Sequence, residues 1–237
     1  MNRSNSPMRP SEHAESAIVA AILDGQYPPG SALPGERILA AQLGVTRPTL
    51  REAIQRLARD GWLSVAHGKP TVVNDFWVKG GLNVLGKLVV HQTQVSPAFI
   101  LQLLEVRLQL APAYTRAAIA RVPAAVVDLL SVAATAGDPP DAFARFDWHL
   151  HQQLTILSGN PIYTLILNGF QGFYEDIARV YFERAGAREL SALFYAELMR
   201  IALDGDFAAA EALARQVMQD SLEVWRNGEA TADNNKE

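Results

Sequence analysis

Apolar residues follow two different patterns along the chain, and the change falls near residue 76. Before it, short stretches with helical spacing lead into two strand-like runs, Trp62–Val65 and Thr71–Val73. A glycine-containing turn separates these runs, which is typical of a β-hairpin. After residue 76, apolar residues recur every three or four positions, and prolines and glycines divide them into about six or seven helices. The pattern predicts a mainly α protein in two parts.

The same pattern gives the predicted domain organisation. We place one domain at residues 1–74, a connector at 75–80 and an all-helical bundle at 81–228. The polar residues 229–237 are predicted to form a disordered tail. No run approaches the ~18 apolar residues of a membrane span, so no membrane contact is expected. The start of the chain lacks the apolar stretch of a secretion signal, which predicts a cytoplasmic protein.

Within the first domain, the sequence predicts two short helices joined by a tight glycine turn. The first covers Pro34–Gln42, because proline suits the first helical position. The second is capped by Thr46 and ends before Gly61. One face of the second helix is apolar and should pack inward. The residues of that face are Leu50, Ala53, Ile54 and Leu57.

Two such helices form a helix-turn-helix, whose second helix presents its first turn to the DNA major groove. Arginine is suited to guanine edges and phosphates because its charged fork donates two hydrogen bonds. His67 and Gly68 at the tip of the hairpin would make it a winged version, since glycine lets a backbone approach a groove. The polar side chains in the first turn are Thr46, Arg47, Thr49 and Arg51.

Charge and composition narrow the function classes. The net charge of −4, taken alone, argues against a protein that binds nucleic acid. Residues 1–76, however, carry eight basic and seven acidic side chains, and the acidic excess lies in the remainder. Basic charge is therefore concentrated in the predicted DNA reader. The absence of cysteine excludes disulfides and cysteine-ligated metal sites. No phosphate-binding glycine loop or nucleophile elbow is present, so an enzyme is not predicted.

One long segment of the chain resembles the winged helix of the GntR family of transcription regulators. This segment is YPPGSALPGERILAAQLGVTRPTLREAIQRLARDGWLSVAHGKPTVVNDFW. The segments GLNVLGKL and SGNPIYTLILNGFQGFY extend a resemblance to the FadR subfamily over nearly the whole chain. The resemblance implies a homodimer that binds double-stranded operator DNA. It also implies repression of fatty acid degradation genes, activation of unsaturated fatty acid synthesis genes, and release from DNA by long-chain fatty acyl-CoA. The operator contacts implied are Arg37, Thr46, Arg47, Thr49, Arg51, His67 and Gly68, and Pro48 departs from the threonine of a relative.

The helical part offers candidates for a ligand site, although chemistry alone leaves the ligand open. Aromatic and apolar residues recur at helical spacing from Phe170 to Tyr181, a pattern that also fits an ordinary core. Arg107 lies in an apolar helix, where it could pair with Asp147. The resemblance implies an acyl-CoA site with Ser221 and Trp225 near the CoA moiety. The other residues it implies are Leu103, Leu104, Arg107, His151, Tyr174 and Tyr181. The chain departs from the relative at two positions. His151 stands where the relative has phenylalanine, and Met218 stands where it has glycine.

Asp147 and His151 are four residues apart, which places both side chains on one helical face, as metal ligands require. GntR relatives that hold a metal add two later histidines, but no histidine follows His151. We therefore predict neither a metal nor another cofactor. Two alternatives stay open at this point. One is a GntR regulator that senses a metal or a small carboxylate, and the other is a module whose winged helix contacts protein.

Overall fold

The computed structural model describes residues 9–91 and 96–234, with side chains to residue 228. Contacts divide the chain into two compact units, Met1–Thr93 and Gln94–Glu237. The first is a winged helix-turn-helix and the second is entirely helical in its described part. The predicted fold class is therefore confirmed.

The N-terminal unit combines five helices with one antiparallel hairpin. Its apolar core includes Leu50, Leu57 and Trp62, whose side chains are fully buried. Leu63 of the first strand pairs with Val73 of the second. The elements in chain order are α1 (Pro10–Leu23), α2 (Glu36–Gln42), α3 (Arg47–Arg59), β1 (Leu63–Ser64), β2 (Val72–Val73), α4 (Phe76–Lys79) and α5 (Asn83–His91).

Helix α3 follows the prediction closely. The Thr46 hydroxyl accepts a hydrogen bond from the Thr49 amide at 3.3 Å, which caps the helix as expected. The four apolar residues predicted to face inward are all buried. Gly61 has a φ of +91°, and a β-carbon there would collide with the carbonyl oxygen of Lys79. The predicted start of α2 at Pro34 was wrong by two residues, because the extended backbone of Gly35 delays the first turn.

Helix α5 changes the predicted domain boundary. The connector predicted at 75–80 contains α4, and residues 81–91 belong by their packing to the N-terminal unit. Val84 and Leu88 are buried in the core of that unit. The Lys87 ammonium binds the Glu15 carboxylate of α1 and lies 4.0 Å from the Asp60 carboxylate at the end of α3. The burial of Val84 and Leu88, together with the ion pairs of Lys87, holds α5 on the N-terminal unit.

The C-terminal unit consists of helices whose ends coincide with the predicted breaks at proline and glycine. Helices α6 (Pro97–Arg121) and α12 (Phe207–Asn234) pack along each other, and α8 (Pro140–Leu157) packs against α6, α9 (Pro161–Asn168) and α10 (Tyr174–Phe182). Between residue 76 and residue 234 the described chain forms nine helices. The estimate of six or seven was low because short breaks after Lys79 and after Asn168 were missed. The helices are α6 (Pro97–Arg121), α7 (Pro123–Leu130), α8 (Pro140–Leu157), α9 (Pro161–Asn168), α10 (Tyr174–Phe182), α11 (Ala187–Asp204) and α12 (Phe207–Asn234).

The end of the chain differs from the predicted tail. Helix α12 continues to Asn234, well past residue 229, so the polar composition of this stretch does not end the helix. Residues 235–237 of the predicted tail lie outside the described residues. Within 9–91 and 96–234, no helix is long and apolar enough to cross a membrane.

Replacing Leu88 tests whether α5 is part of the reader. Leu88 is 2% exposed, so Leu88→Ala should destabilise the N-terminal unit by about 2–5 kcal/mol through lost burial and a cavity. Hydrogen exchange of the α1 and α3 amides measures this loss. Val90 on the same helix is 66% exposed, and Val90→Ala should change the stability by less than about 0.5 kcal/mol. Unaltered exchange in α1 and α3 of Leu88→Ala would separate α5 from this core.

Candidate functional sites

The first turn of α3 presents basic side chains to solvent. The Arg47 and Arg51 side chains are 57% and 60% exposed. The Arg51 Nε donates to Glu36 at 2.8 Å, and Arg47 Nη2 lies 3.7 Å from the same carboxylate oxygen. Exposed ion pairs of this kind are worth at most about 1 kcal/mol. Both guanidinium groups can therefore exchange Glu36 for an anionic partner at little cost.

The other predicted DNA-contacting residues also belong to this unit. Arg37 is exposed in the first turn of α2, next to Glu36. Thr46 is exposed and Thr49 is half-buried, with their hydroxyl oxygens 2.8 Å apart. His67 and Gly68 form an exposed turn at the wing tip, where Gly68 has a φ of +70°. The first turns of α2 and α3 thus form one basic surface, and the wing tip forms a second exposed part of the unit.

The helical unit contains a cavity bounded by α6, α8, α9 and α10. The empty space between its walls, counted together with the solvent at its open side, is about 690 Å³. Most side chains of the cavity wall are aliphatic or aromatic, among them Ile100, Phe170 and Phe173. The structure brings six of the eight predicted ligand residues together around this cavity. They are Leu103, Leu104, Arg107, His151, Tyr174 and Tyr181.

The predicted aromatic stripe is not a single helical face. Helix α9 ends at Asn168, residues 169–173 form turns, and α10 begins at Tyr174. Phe170 and Phe173 nevertheless line the cavity together with Ile177 of α10. Phe170 and Phe173 therefore reach the cavity wall through the turns at residues 169–173 and not through helical periodicity.

Ser221 and Trp225 lie outside the cavity lining. The Ser221 hydroxyl donates to the Val217 carbonyl oxygen at 2.8 Å. Trp225 is 2% exposed, and its indole N–H donates to the carbonyl oxygen of Pro97 at 3.1 Å. The Arg184 guanidinium lies 4.2 Å from the centre of the Trp225 ring. These contacts give Trp225 a packing role where α12 meets the start of α6.

A buried carboxylate organises the polar side of the cavity. Asp147 of α8 is 1% exposed. Its Oδ1 accepts from Arg107 Nη2 at 2.8 Å and from the Tyr195 hydroxyl at 3.1 Å. Its Oδ2 accepts from the Tyr174 hydroxyl at 2.6 Å. A buried charge is tolerated only with such partners, and here three donors from three helices supply them.

Charge pairing decides the ionisation of this cluster. Burial alone would raise the pKa of Asp147, but the Arg107 guanidinium and then the hydrogen bond from the Tyr174 hydroxyl outweigh it and hold that pKa well below its usual range. Burial likewise opposes the charged form of Arg107, and the Asp147 carboxylate more than offsets it and raises the Arg107 pKa. Arg107 and Asp147 are therefore a charged pair within the unit.

His151 joins the cluster as a neutral ring. Burial, and then the Arg107 charge, lower the pKa of His151, so the ring is neutral near pH 7. Its Nε2 contacts Arg107 Nη2, and its Nδ1 lies 2.7 Å from the Tyr114 hydroxyl. Because a guanidinium can only donate, Nε2 must accept. The ring proton is then on Nδ1 and is donated to the Tyr114 oxygen.

These contacts do not fit a metal centre. Asp147 Oδ1 and His151 Nε2 are 3.5 Å apart, and the Arg107 guanidinium donates to both. The Tyr195 hydroxyl donates to the same carboxylate oxygen at 3.1 Å. In the part of the chain that the structure describes, no three His, Cys, Asp or Glu side chains form a metal-binding group. An arginine cation thus occupies the position between the two candidate ligands.

Neither Tyr114 nor Tyr195 was found from the sequence. Tyr114 follows Arg107 by seven residues, which is two helical turns, so both side chains lie on the same face of α6. Asp147 and His151 are four apart on α8 for the same reason. Pairing these two faces would have pointed to the cluster. Tyr195 carried no such signal, because its contact with Asp147 depends on how α11 packs.

Comparisons with known proteins also divide the chain into two parts, although their boundary lies at residue 73, before α4 and α5. Residues 10–73 match the family of bacterial regulatory proteins called gntR, and residues 74–236 match the FadR C-terminal domain. The fatty acid metabolism regulator protein of Shewanella denitrificans is 44% identical over 92% of this chain and 91% of its own. The protein of that name from Shewanella frigidimarina is 43% identical over the same shares.

One solved structure supports the fold alone. It is a structure of Lar, which controls expression of the agr system of Listeria monocytogenes. It is similar to this chain with a TM-score of 0.58 and 16% identity, over 95% of this chain and 99% of that one.

Replacing Asp147 tests the buried pair. Asp147→Asn keeps the shape but leaves Arg107 as a buried charge without its counter-ion, so the helical unit should lose about 3–5 kcal/mol of stability. Chemical denaturation monitored by helical circular dichroism measures the loss. Asp204 pairs with Arg200 at the surface, where its side chain is 64% exposed. Asp204→Asn is the matched control and should cost less than about 1 kcal/mol. Equal losses in both variants would contradict a structural role for the pair.

Proposed function

Because this chain belongs to the GntR family with a FadR C-terminal domain and is a regulator of fatty acid metabolism, we propose that it is an acyl-CoA-responsive repressor. It binds operator DNA as a homodimer in the cytoplasm and leaves the operator when long-chain fatty acyl-CoA binds. By its family, it represses fatty acid degradation genes and activates genes of unsaturated fatty acid synthesis. The observation that carries the proposal is the largely apolar cavity of the helical unit, beside a buried ion pair.

The N-terminal unit supports operator binding. Arg47 and Arg51 are exposed on the first turn of α3, the part of a recognition helix that enters the major groove. A homodimer would present two such helices, and its two-fold symmetry would match a pseudo-palindromic operator. His67 and Gly68 at the wing tip are exposed and could contact the adjacent groove or backbone.

The cavity supports an acyl chain as the ligand. Burial of a methylene is favourable by about 0.8 kcal/mol, so a dozen methylenes contribute on the order of 10 kcal/mol before ordering costs. Leu103, Leu104 and Phe173 supply apolar wall, and the wall opens in part to solvent, which leaves a route for a polar headgroup. Only the difference in affinity between two protein states can release DNA, and a typical coupling of about 1–3 kcal/mol weakens binding roughly 5- to 150-fold.

Chain connectivity suggests how ligand binding reaches the reader. Helix α6 carries Leu103, Leu104 and Arg107 of the cavity wall. Residues 92–96 join its start to α5, which is packed into the reader core through Leu88. A shift of α6 on ligand binding would therefore displace α5. This displacement would change the spacing of the two N-terminal units in the dimer.

Replacing Arg47 tests the DNA-binding half. Arg47→Ala should weaken operator binding at least about 10-fold, because a bidentate arginine contact to a base is worth about 1–3 kcal/mol. A gel shift at fixed salt measures it. The matched control is Arg59→Ala, which removes an arginine with 73% side-chain exposure from the last turn of the same helix. Gel-shift affinity of Arg47→Ala equal to that of Arg59→Ala would remove Arg47 from the DNA interface.

Filling the cavity tests the ligand half. Leu103 lines the cavity, and Leu103→Trp should raise the oleoyl-CoA concentration needed for operator release at least about 10-fold, because the larger ring occupies space meant for the chain. Gln102 is exposed on the same helix, so Gln102→Trp is the control and should respond like the unaltered protein. Operator binding without ligand should persist in both. Normal release of Leu103→Trp would place the effector elsewhere.

A further inference from the structure

A carboxylate lies within the basic surface that the first turns of α2 and α3 form. It belongs to Glu36 in the first turn of α2, whose side chain is 35% exposed. Its Oε2 accepts a hydrogen bond from Arg51 Nε at 2.8 Å and lies 3.7 Å from Arg47 Nη2. DNA is a polyanion, so an acidic side chain here weakens the attraction of the surface for phosphates. Glu36 therefore opposes DNA binding that depends on the backbone alone.

The contact with Glu36 decides which edge of the Arg51 guanidinium remains for another partner. Nε is engaged by the carboxylate, whereas Nη1 and Nη2 have no other protein partner among the described residues. These two nitrogens carry the parallel N–H groups that match the O6 and N7 acceptors of guanine. An arginine held in this way meets a base edge with its two donors already aligned, so it loses less side-chain freedom on binding.

Arg47 is restrained by the same carboxylate. Arg47 and Arg51 are four residues apart, which places both side chains on one face of α3. The negative charge between them offsets their mutual repulsion and keeps both side chains on the side of α3 next to α2. These ion pairs are weak in water, but they strengthen when a bound duplex displaces solvent. The restraint is therefore greatest in a complex with DNA.

Phosphates and base edges differ in what they offer to Glu36. A phosphate repels the carboxylate and has no hydrogen to donate to it. The major groove presents uncharged guanine acceptors to the arginines, and the amino groups of cytosine and adenine to an acid. Oε1 of Glu36 has no partner within residues 9–91 and 96–234, so it is available to such an amino group. Base reading is thus compatible with the contacts of Glu36, and docking on the backbone is opposed by them.

We propose that Glu36 is a specificity-determining residue of the DNA interface. It positions Arg51 and Arg47 for guanine in the major groove and disfavours docking on phosphates. The protein therefore discriminates operator from other DNA more sharply than its exposed arginines would alone. The inference rests on the proposed operator binding and deepens it, because it names the acid that sets the discrimination.

Replacing Glu36 by its uncharged isostere tests this role. Gel shifts on the full chain use two duplexes of equal length, an operator selected by the unaltered protein from a random-sequence pool and a scrambled duplex of the same composition. Glu36→Gln should raise the affinity for the scrambled duplex about 5-fold at about 0.15 M salt and steepen its logarithmic salt dependence by roughly 0.9, as expected for one additional phosphate contact. The ratio of operator to scrambled affinity should fall at least about 10-fold, since the arginines also lose their orientation.

Glu52→Gln is the matched control. It removes the same charge from α3, where Glu52 pairs with Arg56 at 2.6 Å, and Arg56 lies 3.8 Å from Glu15 of α1. This pair lies toward α1 and has no contact with Arg47 or Arg51 among the described residues. The affinity ratio for Glu52→Gln should stay within about 2-fold of that of the unaltered protein, because salt screens a charge that lies off the interface.

The outcomes are distinct. An unchanged ratio in Glu36→Gln, whether both affinities rise or fall, overturns the proposal, because Glu36 would then act only on the stability of α2 or on overall attraction. An equal fall of the ratio in Glu52→Gln assigns the discrimination to net charge and overturns it as well. If the unaltered protein selects no sequence from the pool, the proposed operator binding is wrong, and the role of Glu36 with it.

Discussion

The buried pair of Arg107 and Asp147 is the interaction on which the helical unit depends. It joins α6 to α8, and the hydroxyls of Tyr174 and Tyr195 attach α10 and α11 to the same carboxylate. A charged pair removed from water is stable only while every partner stays in place. The cavity lies against this pair, so the proposed ligand would act directly on the junction of four helices.

Much of the fold could be predicted from local signals. The Thr46 cap, Gly61 and the apolar face of α3 are decided by neighbours in sequence, and the structure agrees with them at each point. The membership of α5 could not be predicted in this way. Val84 and Leu88 show that α5 has an apolar side, but the sequence does not say which domain covers it. Only the packing of distant segments decides that, and it favours the reader.

The candidate ligand site shows the same division. The family resemblance implied eight ligand residues, and the structure brings six of them around one cavity. Ser221 and Trp225 lie outside that lining, because their side chains are engaged with Val217 and Pro97. The hydrogen-bonding state of His151 was also beyond the sequence. It follows from Arg107, 44 positions away along the chain, whose guanidinium can only donate.

The cation that pairs with Asp147 is the Arg107 guanidinium, a group of the protein itself. A metal ion between Asp147 and His151 would come and go with supply, and a chelator or a competing ion could alter the site. A cation that is part of the chain cannot dissociate or be exchanged. The positive charge that balances Asp147 is therefore fixed when the helical unit folds.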